Sequence, residues 1–167
     1  MHRSPLVRAA DGALLTLGIV VIAAAPAAAH VEPDPSRVEP ATEATVVFAV
    51  EHGCDESPTT KLTFKIPKGV KNAQPVAKDG WSSTTRRKTV VFEDPASSDL
   101  VEDDEFSISF TAPNRTTILA WKIVQRCEEG TIRWIDTSDG AENPPPRIGV
   151  GKDAPEEHEE EPESEHG

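Results

Sequence analysis

Apolar residues recur at every second position through much of this chain, and no long stretch shows the 3.6-residue period of an amphipathic helix. Lys61 to Ile66 sets Leu62, Phe64 and Ile66 on one face. Phe106, Ile108 and Phe110 alternate in the same way, as do Leu119, Trp121 and Ile123, and the run from Thr131 to Ile135 puts Ile132 and Trp134 on one side. Thr45 to Val50 reads as a further strand. Thr89 to Phe92 is a continuous apolar run, as expected of a strand buried on both faces. Turn clusters divide these runs: Pro67-Lys68-Gly69, Lys78-Asp79-Gly80, Ala112-Pro113-Asn114, Glu128-Glu129-Gly130 and Ser138-Asp139-Gly140. Short strands between such signals predict an all-β antiparallel sandwich. Arg147 to Val150, after Pro144-Pro145-Pro146, reads as a final edge strand.

The N-terminus follows another pattern. A basic lead (Arg3, Arg8) runs into an apolar core from Ala13 to Ala25 and ends in Ala27-Ala28-Ala29. This is the charge, apolar and small-residue order of a secretory signal, with cleavage expected before His30. The rival reading is an uncleaved N-terminal anchor. The expected organisation is a signal over residues 1–29, one folded domain over 30–150 and a tail over 151–167. The expected localisation is secreted or extracytoplasmic, in the periplasm or cell envelope, with no transmembrane anchor in the mature chain.

Charge sharpens the picture at the other end. The chain carries 17 basic and 29 acidic residues. From Lys152 onward a single lysine stands against Asp153 and seven glutamates, with almost no apolar residue, the composition of a disordered acidic tail. His158 and His166 lie in that tail and offer at most loose metal ligands. Nothing in the sequence forms the basic stripe that phosphate neutralisation requires, so nucleic acid is not an expected partner.

Two cysteines, Cys54 and Cys127, remain after the signal, and an even count in an exported chain suggests a disulfide. The competing reading is a cysteine-ligated metal, with His52 two residues before Cys54. Motifs for catalysis are missing: there is no Gly-rich phosphate loop, no Gly-x-Ser-x-Gly elbow and no His-Glu-x-x-His pair. An enzyme is therefore not expected. Cleavage before His30 would leave an α-amine beside its own imidazole, two nitrogen donors able to chelate one ion, and such donors suit Cu(II). The bland reading is that His30 merely follows a cleavage site. His52 lies at the end of the first strong strand, in Val50-Glu51-His52-Gly53-Cys54, either as a ligand or as an exposed strand-end residue. Glu51 falls on the opposite face if the strand continues. Trp121 reads as core and Trp81 as the cap of an edge. Trp134 is either an aromatic wall near a metal or a second core tryptophan.

Several short segments, in order and spacing, resemble the YcnI-like family of exported copper-binding proteins. They are Ala29-His30-Val31, His52-Gly53-Cys54 with Ser57-Pro58-Thr59-Thr60, Ile66-Pro67 before Gly69-Val70, Pro75 to Gly80-Trp81, and Cys127-Glu128 before Arg133-Trp134. The resemblance spans His30 to about Val150. It implies an Ig-like β-sandwich that holds Cu(II) through a histidine brace at His30, with Trp134 as the nearby tryptophan. It also implies a role in copper carriage, storage or homeostasis beside a copper importer or another copper-transport protein. Family members supply a glutamate after the first strand. Here that place is open between Glu51 and His52, and imidazole is the better match to Cu(II). Two other functions compete: a metal-independent adhesion or binding module of the cell envelope, and a copper-dependent oxidative enzyme.

Overall fold

The computed structural model describes residues 30–50, 54, 57–94 and 104–154. Among them every regular element is a β-strand, as the period-two pattern predicts. Twelve strands form three sheets. The first sheet orders β1 (Val31–Asp34), β3 (Glu43–Val50), β8 (Asp104–Thr111) and β5 (Lys71–Pro75) side by side. The second runs β11 (Thr131–Trp134), β10 (Lys122–Cys127), β4 (Thr59–Lys65), β7 (Thr89–Glu93) and β6 (Ser82–Arg86). The third is small: β12 (Arg147–Val150) lies between β2 (Arg37–Val38), which it pairs in parallel, and β9 (Thr117–Ala120).

The two large sheets face each other across an aromatic core. Phe48 of β3 lies 5.1 Å from Phe64 of β4, and Phe106 of β8 lies 5.2 Å from Phe92 of β7, centroid to centroid. Trp121 closes one end of this core against Phe48 and Phe110 at 5.5 and 5.2 Å. All of these rings are fully buried. Burial of each is worth about 1.5–3 kcal/mol, and edge-on or tilted pairs add roughly 0.5–1.5 kcal/mol. Trp81 half-covers the sandwich edge and stands edge-on to Phe106 at 4.9 Å, the capping position the sequence suggests. In β7, Val90, Val91 and Phe92 are all buried, as the continuous apolar run predicts.

Three expectations need correction. The alternation Leu119, Trp121, Ile123 is present, but it spans two strands in different sheets. The chain crosses between them at Trp121, whose backbone N–H donates to the Pro146 carbonyl at 2.9 Å. Arg147–Val150 is the middle strand of its sheet, not an edge. Gly149 allows this: a Cβ there would lie 3.1 Å from the Ala154 Cβ and 3.3 Å from Arg37 Nη1. The folded body also runs past Val150. Gly151 and Ala154 offer their carbonyls to Arg37 Nη1 at 2.7 and 3.2 Å, and Ala154 is buried.

Candidate functional site

The antiparallel pairing of β1 with β3 sets Val31 opposite Val50, so the start of one strand and the finish of the other share one end of the sandwich. Val31 is buried and fixes β1 against the core, while His30 just before it is exposed. It is the single histidine among the described residues. Glu51 and His52 lie outside the described residues.

Cys54, four residues beyond Val50, is bonded to Cys127 at the end of β10, as expected from the cysteine count. The Cys54 N–H points back at the Cys127 Sγ, 3.0 Å away. The turn between β10 and β11 wraps this point. The Glu129 N–H donates to Ser57 Oγ at 2.7 Å, and the Glu128 N–H donates to the Pro58 carbonyl at 3.0 Å. Gly130 turns the hairpin with φ +98°, and a Cβ on it would lie 3.3 Å from the Cys54 Cβ. Only glycine combines that conformation with so close an approach.

Behind the disulfide runs a buried polar chain. Trp134 Nε1 donates to Gln125 Oε1 at 2.9 Å, and Gln125 Nε2 donates to Thr59 Oγ1 at 2.8 Å. The Thr59 hydroxyl lies 3.8 Å from Cys127 Sγ. Trp134 is therefore a core residue whose polar edge is committed to Gln125, and this chain links it to the disulfide end. Gln125 is not singled out by the sequence pattern, and Thr59 enters there only as part of the resembling segment Ser57–Thr60. The signal for Gln125 was present: it takes the inward place in the alternation Ile123, Gln125, Cys127, where a polar residue must find a buried partner.

Among the described residues no three His, Cys, Asp or Glu side chains gather as a metal site. At the same end, Lys78 is ion-paired with Asp104, which lies opposite Val50 in the register of β3 and β8. On the flank of β11, the Asp136 carboxyl is held below the ordinary aspartate range. The causes are the Ser138 N–H first and the Ser138 hydroxyl next, with a smaller contribution from the Lys122 charge.

The molecule thus has the form of an immunoglobulin-like sandwich with one inter-sheet-end disulfide. Residues 30–99 match the model of the family described as "Domain of unknown function (DUF1775)", the YcnI-like domain family. No curated protein matches the chain. Among solved structures, an uncharacterized protein from Nocardia farcinica with an immunoglobulin-like fold is similar at 19% identity. That likeness has a TM-score of 0.62 and covers 72% of this chain and 97% of that one. A putative membrane anchored protein from Corynebacterium diphtheriae gives a TM-score of 0.47 at 13% identity, over 73% of this chain and 33% of that chain. A protein named CaCohA2 from Clostridium acetobutylicum gives 0.44 at 18% identity, over 75% of this chain and 94% of that chain.

Proposed function

We propose that this protein is an exported Cu(II)-binding protein, acting in copper carriage, storage or homeostasis, that grips its cargo with the α-amine and imidazole of His30. The observation that carries this reading is the pairing of Val31 with Val50, which brings the residue before one strand and the residues after the other to the same end. Paired Cα atoms sit about 5 Å apart, and His30 directly precedes Val31 in the chain as Glu51 directly follows Val50. His52 follows one residue later, and Cys54 is anchored two residues beyond that. A short segment tied at both ends supplies the further ligand, and His52 is preferred over Glu51 because copper(II) favours nitrogen donors.

An exposed terminal residue suits cargo better than a buried cofactor, because a carrier must release what it binds. The protein is accordingly read as a binder that passes copper to an importer or another copper-transport partner, not as an enzyme. A disulfide that persists supports an oxidising compartment outside the cytoplasm. Among the described residues no helix is long and apolar enough to cross a membrane.

Copper must displace protons from the amine and imidazole, so binding should weaken as pH falls. Competition titration of a chain beginning at His30, from pH 8 to pH 5, tests this. The expected result is a progressive loss of affinity. An affinity flat across that range contradicts the brace and favours a metal-independent envelope module.

A further inference from the structure

The chain is acidic as a whole, yet one of its faces is not. In the second sheet the inward positions belong to the core, and the alternate positions form an outer face whose residues are set by the strand registers. Its central row runs Arg133, Val124, Thr63, Val91, Thr84 from β11 to β6. The row on one side contains Arg126 and Lys61 directly opposite each other, and the row on the other side contains Lys122 opposite Lys65, with Arg86 further along. Glu93, paired with Lys61 at 3.2 Å, is the one carboxylate in these rows. Like charges set opposite each other across a strand pair destabilise a sheet. Here this happens twice, on neighbouring strands.

The same charge continues over the rim. A cleft of about 300 Å³ opens where the end of β4 meets β9 and the start of β10. Lys65, Lys68, Arg115 and Lys122 line it, with Ile66 and Leu119 among its apolar contacts and no acidic residue. Asp136, whose carboxyl feels the Lys122 charge, is already engaged by Ser138.

The path of the chain supplies an occupant. Val150 of β12 pairs with Thr117, a residue of the cleft wall. Gly151 then abuts Thr116, whose Oγ1 would be 3.1 Å from a Cβ on that glycine. The described fold ends three residues later at Ala154, held by Arg37. Residues 155–167 follow, with seven glutamates and no lysine or arginine. Thirteen residues reach up to about 43 Å, and a five-stranded sheet is only about 19 Å across. A tethered acidic segment beside a basic surface meets it at an effective concentration in the millimolar range.

We propose that the outer face of the β11-β10-β4-β7-β6 sheet, entered through the cleft at Lys65, Lys68 and Lys122, is the docking surface for the chain's own acidic segment 155–167. Docking neutralises the facing cations and keeps this surface closed to other polyanions. It stands independently of the copper reading, since none of these residues is a proposed ligand.

Zero-length carbodiimide cross-linking of the chain spanning residues 30–167, followed by peptide mapping, tests the proposal. Glutamates 156–165 should join Lys65, Lys68 and Lys122 within single molecules at about 0.01 M salt, where charges act over roughly 30 Å. The yield should fall on the order of tenfold at about 1 M salt, where that range shrinks to roughly 3 Å. Lys65→Glu with Lys122→Glu should abolish transfer to Lys68 as well, whereas Lys71→Glu, in the other sheet, should leave the pattern unchanged. Three outcomes would overturn the proposal: links spread equally onto Lys71 and Lys78, a yield indifferent to salt, or links found only between molecules. The last would assign the face to a second copy.

Discussion

Gln125 is the residue on which the interior near the disulfide depends. It is fully buried and hydrogen-bonded at both ends of its amide, to Trp134 and to Thr59. Replacing it by leucine keeps the volume but strands the indole N–H and leaves the threonine hydroxyl without its amide donor. A buried polar group left in this way costs about 1–3 kcal/mol. Gln125→Leu should therefore lower unfolding stability by that amount in urea denaturation, with a shift in the Trp134 emission of the folded protein. An unchanged midpoint would mean that the chain of hydrogen bonds contributes nothing net. At this scale the sequence was legible wherever burial follows period two: Leu62, Phe64, Phe106, Ile108, Phe110, Trp121 and Ile123 all lie in the core as their alternation requires. What alternation cannot convey is which buried residues exchange hydrogen bonds. The Gln125 chain joins β4, β10 and β11, and its partners are 66 and 9 residues apart in sequence.

Among the elements, the strands that were legible are those that bury every second side chain. β5 and β6 were not read as strands, because their sequences, Lys-Asn-Ala-Gln-Pro and Ser-Ser-Thr-Thr-Arg, are nearly all polar and Ala73 is their one buried side chain. They lie at the edges of their sheets, where backbone pairing holds a strand without an apolar face. The central place of β12 was hidden for a different reason. It rests on the absence of a side chain at Gly149 and on the reach of Arg37, and neither leaves a hydrophobic signature. The Cys54–Cys127 bond ties the segment after β3 to the end of β10, across 73 residues. For a loop of that length the chain-entropy model gives about 4 kcal/mol. Replacing both cysteines with serine should lower stability by about that much in equilibrium unfolding at neutral pH. A loss below about 1 kcal/mol would show that the hydrogen bonds of Ser57, Pro58 and Gly130 hold this end without the covalent bond.

Across the whole molecule, sequence and structure meet at one end of the sandwich. In the sequence, His30 is singled out by the small residues before it and by the resemblance of its segment to a known family, and its part in binding is a proposal. The structure adds that the strand beginning at Val31 lies against the strand ending at Val50, with the disulfide just beyond. The role of Trp134 was less legible. Its spacing after Cys127 suggested either a wall or a core position, and the donation of its N–H to Gln125 makes it a core residue that buttresses the disulfide end from within. The basic outer face was invisible for a physical reason: Lys61, Lys65, Lys122 and Arg126 come from strands about 60 residues apart, and only the register of β4 with β10 assembles them.

Whether the nitrogen atoms of His30 hold copper decides the proposed function. Electron paramagnetic resonance and competition titration with Cu(II) should be made on two proteins, one beginning at His30 and one with a single alanine ahead of it. The extra residue removes the α-amine from the chelate and leaves the fold and every side chain in place. Tight one-to-one binding with nitrogen coupling is expected in the first protein, and its loss in the second. Equal binding in both, or none in either, would contradict the proposed function.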